Sequence, residues 1–214
     1  GDILRIDLSS GRVSSQPMEL ELARRFLGGV GINDWLLWEH FTTADPKADP
    51  LGPENVLIMG IGPLGGTATG LGSKMKFTFK GPLCNMFGDS VSGGSFAPML
   101  RCAGYDYLVI TGRAAKPVYI WIDDGRVEIR DAASLWGKGV RHATEMLRAQ
   151  LGDPDVPIAC IGQGGENLVR YASVTVTEER SAGRTGAGCV MGSKNLKAVA
   201  VRGSNGVSVH DPAA

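Results

Sequence analysis

The sequence is short of everything that marks a nucleic-acid-binding, membrane-spanning or disulfide-built protein. Lys plus Arg equals Asp plus Glu at 22 each, so no surplus of either sign draws the chain to nucleic acid or to an anionic membrane. Any anion site must therefore be built locally. No stretch approaches the ~18 uninterrupted apolar residues of a spanning helix. The opening residues Gly1 to Ser10 carry charges where a secretory leader needs an apolar run, and a soluble, cytoplasmic chain is the expectation. The four cysteines, Cys84, Cys102, Cys160 and Cys189, form no CxxC pair, which argues against a locally built zinc or iron–sulfur site and reads most of them as small buried hydrophobes. His40, His142 and His210 are too scattered for a ligand set: the first two fall in predicted helices and the third in the tail.

What is present is enough for a core, since 43% of the 214 residues are hydrophobic. The chain opens at Gly1 rather than Met and closes on Asp211-Pro212-Ala213-Ala214, so a piece of something longer is expected, with residues 206–214 as linker. Ile3 to Leu8, the turn Ser9-Ser10-Gly11-Arg12 and a strand from Val13 read as a hairpin. Leu20, Ala23 and Leu27 share a helical face, Gly28-Gly29 interrupts, and a second helix ends near Phe41. A Pro-rich loop then leads to the strand Val56–Met59.

The second half repeats this order. Val118 to Ile122, the turn Asp123-Asp124-Gly125-Arg126 and Val127 to Arg130 make a hairpin; a helix carries Val140, Ala143, Leu147 and Leu151; and Pro157 to Ile161 is a strand. Ile61-Gly62 and Ile161-Gly162 end matching strands, so the repeat spans roughly 3–80 and 117–202, unless two hairpin-helix-strand units are alike by chance. The predicted class is α+β: two similar β-rich halves with mixed or antiparallel sheets, related by a pseudo-two-fold axis.

Glycine is concentrated. Of 31 glycines, ten fall between Gly60 and Gly94 and four between Gly183 and Gly192. Glycine lets backbone N–H groups approach a ligand closely. Lys74, Lys76 and Lys80 stand near the first cluster and Arg180, Arg184 and Lys194 near the second, a combination that suits phosphate, or else tight turns with solvated bases. Ser92-Gly93-Gly94-Ser95-Phe96 reads as the opening of a helix, with Ser92 as its cap, and Arg180 to Gly188 leads to another helix from Cys189 to Asn195. Gly60-Ile61-Gly62-Pro63-Leu64-Gly65 matches the dinucleotide pattern GxGxxG, but the following Gly65 to Gly72 is poor helix material and no acidic residue ends a strand at the usual distance.

Taken in order, Ser92-Gly93-Gly94 with Ala103-Gly104-Tyr105-Asp106, then Gly164-Gly165-Glu166-Asn167-Leu168-Val169, then Ala182-Gly183-Arg184 running on to Met191-Gly192-Ser193-Lys194-Asn195-Leu196-Lys197-Ala198, resemble the N-terminal domain of the aldehyde:ferredoxin oxidoreductase family. The resemblance covers essentially the whole chain. It implies a saddle-like domain, residues 1–205, beneath a tungstopterin or molybdopterin bis-pterin cofactor. It also implies a magnesium ion between the pterin phosphates, held by the backbone carbonyls of Val91 and Ser181. The implied cofactor-binding set is Lys74, Val91, Ser92, Gly93, Gly94, Arg180, Ser181, Ala182, Gly183 and Arg184. Lys74 departs from the family's arginine, keeping the charge but losing the bidentate fork.

The resemblance puts the 4Fe-4S cluster, most pterin-ring contacts and the acid–base residues in later domains, so no catalytic residue is assigned, and Asp106 reads as structural. The whole protein is then expected to interconvert aldehydes and carboxylic acids and to exchange electrons with ferredoxin or another carrier, with homo-oligomer formation left open. Two other readings stand beside it: an NAD- or FAD-binding domain using Gly60 to Gly66, and a non-catalytic assembly domain.

Overall fold

A computed structural model describes residues 1–67, 72–177 and 180–207. Ala68 to Leu71, within the glycine-rich run, and residues 208–214, with His210 and most of the expected linker, lie outside the described residues. The chain runs β1 (Asp2–Asp7), β2 (Arg12–Pro17), α1 (Leu20–Phe26), α2 (Val30–Thr43), β3 (Leu57–Ile61), β4 (Met75–Lys80), β5 (Phe87–Ser92), α3 (Phe96–Cys102) and β6 (Tyr105–Thr111). It continues as β7 (Val118–Asp123), β8 (Arg126–Asp131), α4 (Val140–Leu151), β9 (Ile158–Cys160), α5 (Gln163–Glu166), β10 (Val174–Val176), β11 (Arg180–Ala182), α6 (Ala187–Ser193) and β12 (Leu196–Arg202).

Local chemistry sets the breaks. In the first hairpin the Asp7 carboxylate accepts the Ser9 N–H at 2.9 Å and the Ser10 hydroxyl at 2.6 Å, and Gly11 supplies a φ of +72°. Gly28 and Gly29 divide α1 from α2 with φ of +156° and +52°. The Gly29 N–H then donates to the Ile61 carbonyl at 3.1 Å and to the Tyr107 hydroxyl at 2.7 Å, which pins the start of α2 to the first sheet.

The sheets are built to one plan. The first has the order β2-β1-β6-β3-β4-β5, and the second, read from its far edge, is β8-β7-β12-β9-β10-β11. In each, the hairpin strand and the last strand pair in parallel (β1 with β6, β7 with β12) and every other pairing is antiparallel. Even the irregularity repeats: one extra residue interrupts the parallel register at Asp106 in β6 and at Lys197 in β12. Each extra residue is charged and each has a partner of opposite sign. Asp106 receives Arg101 Nε at 2.7 Å, and Lys197, fully buried, pairs with Glu166 and donates to the Lys138 carbonyl at 2.8 Å. This is the α+β, two-half architecture that the sequence predicts.

Both faces of each sheet are covered, which is why the central strands read as unbroken apolar runs. Leu4, Met59, Phe77 and Leu108 face Ile120, Ala159, Val176 and Val199 across one shared core, and α3 and α6 lie in it through Phe96, Leu100, Val190 and Met191. The outer face of the first sheet packs Ile3, Ile58 and Val109 against Leu22, Ile32 and Leu36 of α1 and α2. The outer face of the second packs Tyr119, Ile158 and Ala198 against Ala143 and Leu147 of α4. Full burial of each Val, Leu, Ile, Phe or Met among them is worth about 1.5–3 kcal/mol.

Lys194, just after α6, is fully buried and ties the halves together. Its ammonium donates to the Asn55 carbonyl and, at 3.0 Å, to that of Gly112. Desolvation, aided by the Arg113 charge, pulls its pKa from 10.5 down to about 7. In the unfolded chain the group holds its proton up to about pH 10.5. Between these values the unfolded state therefore binds more protons, and stability rises with pH by up to about 1.4 kcal/mol per unit. Urea denaturation at pH 6, 7, 8 and 9 is expected to show this rise above pH 7, and Lys194→Met is expected to flatten it.

Candidate functional site

β5 and β11 are the outermost strands of their sheets, and they lie against one another. No ladder joins them. The Arg184 N–H donates to the Ser90 hydroxyl at 3.0 Å, and the Thr185 hydroxyl donates to the Asp89 carbonyl at 2.7 Å. Strand carbonyls alternate sides, so the Asp89 contact places the Val91 carbonyl on the same edge, toward β11. Register gives Val91 a counterpart. Ser92 and Val91 stand opposite Met75 and Lys76, and Ala182 and Ser181 stand opposite Val174 and Thr175. Val91 and Ser181 thus occupy equivalent places in the two halves.

Side chains gather at this edge. Gly94 lies against the end of β10, where a Cβ would meet Thr177 Oγ1 at 2.7 Å, and a Cβ on Gly93 would stand 3.6 Å from Lys74 Nζ. Lys74, Arg180, Ser181, Gly183 and Arg184 are exposed, as is Val91, while Ser92 and Ala182 are buried. All ten residues singled out from the sequence therefore belong to one edge region. Among the described residues no ion pair engages Lys74, Arg180 or Arg184. These bases offer charge and donors, the strand edges offer carbonyls, and the glycine turns leave both accessible.

The structure corrects several details. The first helix opens at Phe96 with Ser95 at the cap position, whereas Ser92 is the last residue of β5 and turns its hydroxyl to the Gly93 carbonyl at 3.3 Å. Ladder pairing with Met75 commits the Ser92 backbone to a strand, and Gly94, at φ +111°, delays the helix further. The second helix begins at Ala187 rather than Cys189. Both run for only seven residues. Three of the bases near the glycines are structural. Lys76 pairs with Asp89, Lys80 donates to the Pro46 and Ala48 carbonyls at 2.7 Å each, and Lys194 is the buried tie described above.

Gly60 to Gly66 does not make a dinucleotide site. Both neighbours of β3 are antiparallel, and the chain leaves β3 through a turn closed by the Gly65 N–H on the Gly62 carbonyl at 3.0 Å. Among the described residues no helix opens there to receive a pyrophosphate. Arg101 fills the loop instead, donating to the Pro63 carbonyl at 2.9 Å and to that of Gly65 while pairing with Asp106. A cavity of about 690 Å³ beside this loop is lined by these engaged groups and by Gly28, Ile32 and Tyr107.

His40 packs its Nε2 2.7 Å from the Glu54 carbonyl, and burial lowers its pKa. Burial pushes the Cys160 thiol up to about 12, which makes it inert. Among the described residues no cluster of three His, Cys, Asp or Glu side chains could hold a metal.

Comparison with known proteins follows the same line. The family described as aldehyde ferredoxin oxidoreductase, N-terminal domain, matches residues 3–203. The chain is 44% identical over 211 residues to the tungsten-containing aldehyde ferredoxin oxidoreductase of Pyrococcus furiosus, covering 99% of this chain and 34% of that protein. The protein of the same name from Pyrococcus horikoshii is 45% identical with the same coverage. An aliphatic sulfonate oxidoreductase, WOR-like subunit, of Pyrococcus furiosus is 38% identical over 95% of this chain and 34% of its own length. Among solved structures, the active-site complex BamBC of benzoyl coenzyme A reductase with 1,5-dienoyl-CoA superposes at a TM-score of 0.94, with 38% identity over 99% of this chain and 32% of that one. The chain thus spans about a third of the length of the curated relatives it matches.

The two glycine turns should respond differently to a methyl group. Gly94→Ala meets both the left-handed φ and Thr177, and is expected to cost about 1–3 kcal/mol in urea unfolding. At Gly183 a Cβ would have no neighbour within 4 Å, so Gly183→Ala should stay within about 0.5 kcal/mol of wild type.

Proposed function

Because the chain belongs to the aldehyde ferredoxin oxidoreductase family, as its N-terminal domain, we propose that residues 1–205 seat a tungsten, or molybdenum, bis-pterin cofactor. One observation carries this reading: two sheet edges meet side by side, with equivalent carbonyls at Val91 and Ser181 and three exposed cations beside them, in a chain whose net charge is +0. The residues present fit such a group. Hard divalent ions take oxygen ligands, and backbone carbonyls serve whatever the side chain, so a valine and a serine are equally good hosts for magnesium. Lys74, Arg180 and Arg184 would hold phosphate oxygens by charge-assisted hydrogen bonds. The backbone from Ser92 to Gly94 and from Ala182 to Gly183 would pass close to them, and no Cβ at Gly93 or Gly183 stands in the way.

When bound, such a cofactor supplies the redox chemistry by which an aldehyde and water become a carboxylic acid, two protons and two electrons, or the reverse. This chain's share is to bind and orient. The acid–base groups, a 4Fe-4S cluster and the docking of ferredoxin or another carrier belong, in this reading, to the remaining two-thirds of a cytoplasmic enzyme. A second reading, reduction of aromatic acyl thioesters on the same seat, is favoured by the likeness to the benzoyl coenzyme A reductase complex.

The test is metal and pterin content of the full-length protein, by mass spectrometry and by fluorescence of the oxidised pterin. Each charge-assisted hydrogen bond is worth about 1.5–3 kcal/mol, so Arg180→Ala and Lys74→Ala should each reduce tungsten or molybdenum per chain roughly tenfold at limiting cofactor, while Lys74→Arg retains it. Wild-type protein free of both metals, or unchanged metal in Arg180→Ala, would overturn the proposal; the latter result would favour an assembly role.

A further inference from the structure

Among the described residues seven other than glycine have a positive φ, and only two of these are β-branched: Thr177 at +56° and Thr185 at +60°. A second heavy atom on Cβ makes the left-handed region strained, so such a residue is held there by what surrounds it. Both bear on β5. Thr177, after β10, lies against Gly94. Thr185, after β11, donates its hydroxyl to the Asp89 carbonyl at 2.7 Å and shares the one hydrogen with the Arg184 carbonyl at 2.8 Å.

The turn after β11 does not need a threonine to form. Glycine or asparagine takes a left-handed φ with less strain, and Gly186, at +90°, follows directly. What Thr185 adds is the hydroxyl on Asp89. The halves are held elsewhere by the shared core and the Lys194 tie, so this bond acts locally and fixes the end of β11 against the edge of β5. Ser90, buried, acts from the opposite strand by accepting the Arg184 N–H at 3.0 Å. The Asp89 carbonyl is thereby consumed and its carboxylate is taken up by Lys76, while the Val91 carbonyl, two residues on and on the same side of the strand, is left open.

We propose that Thr185 and Ser90 are a positioning pair, a role that rests on the cofactor seat proposed above: they set the separation of the Val91 and Ser181 carbonyls to suit magnesium and to disfavour calcium. Magnesium requires near-octahedral oxygen ligands at about 2.0–2.1 Å, whereas calcium accepts about 2.3–2.6 Å and irregular geometry. Two carbonyls on separate strand edges can discriminate between these ions only if the edges are kept from drifting apart by a few tenths of an ångström. One clasp adjoins each ligand: Ser90 immediately precedes Val91, and Thr185 lies four residues beyond Ser181. Strain in the backbone at Thr185 then has a purpose, since it holds the hydroxyl where the gap is set.

The experiment uses full-length protein of measured tungsten or molybdenum content, dialysed against excess calcium chloride, with magnesium and calcium per loaded chain followed by plasma mass spectrometry and Tm measured alongside. Wild type is expected to keep its magnesium. Thr185→Gly relieves the backbone and removes the hydroxyl, so it should keep a Tm near that of wild type yet exchange magnesium for calcium roughly tenfold faster. Ser90→Ala should exchange as fast. Thr185→Ser, which keeps the hydroxyl and loses the branch, should match wild type. Exchange at the wild-type rate in both Thr185→Gly and Ser90→Ala, or rapid exchange in Thr185→Ser, would sink the proposal. A fall in Tm with magnesium retained would sink it too, since it marks a structural contact alone. Failure of the underlying reading shows in the wild type instead: protein that carries tungsten or molybdenum without magnesium would overturn the carbonyl site, and the positioning pair with it.

Discussion

Everything at the site depends on two edge strands that touch without pairing. β5 and β11 are held side by side by the Ser90 hydroxyl under the Arg184 N–H and by the Thr185 hydroxyl on the Asp89 carbonyl. Had they joined in a regular ladder, their edge carbonyls would be consumed and the two sheets would be one. An open edge is ordinarily a liability that a protein blunts or covers. Here it is flanked by exposed bases and glycine turns, and in the proposed function it serves as a set of oxygen ligands beside a set of phosphate partners.

The sequence displayed the hairpins, the long helices and the strands that end at Ile61 and near Ile161, because those segments alternate or repeat with clear periods. The short and the charged strands escaped it. β10 and β11 have three residues each, too few to show a period, and β4 and β5 carry Lys76, Lys80, Asp89 and Ser90 in positions where the tertiary structure, not the pattern, supplies the partner. The same cause misassigned the bases. Charge near glycine suggests phosphate, yet Lys80 and Lys194 satisfy carbonyls from loops far away in sequence, at Pro46, Ala48, Asn55 and Gly112, which composition cannot foresee. The helix openings were read too early by four residues at Ser92 and too late by two at Cys189, because a strand pairing and the positive φ of Gly94 and Gly186 decide them.

The residues proposed as ligands through their backbone are the least legible of all. Nothing in a valine or a serine announces a metal carbonyl, and only the register, Val91 opposite Lys76 and Ser181 opposite Thr175, reveals that the two positions correspond. The glycines around them carry the signal instead, since a side chain at Gly94 would collide with Thr177. Likeness between the halves therefore lives in the backbone, while their surfaces diverge: α2 leaves Trp38 65% exposed, whereas α4 carries the exposed ion pair of Arg141 and Glu145.

That divergence reaches the repeated bulges. Asp106 answers to Arg101 on α3, and Lys197 answers to Glu166 on α5, so the two copies have reversed the sign of the same position and recruited counter-ions from different helices. Moving the Lys197 bulge without α5 would leave a fully buried ammonium without its carboxylate, at a cost of about 3–5 kcal/mol. The two halves, alike in plan, are therefore not interchangeable in their parts.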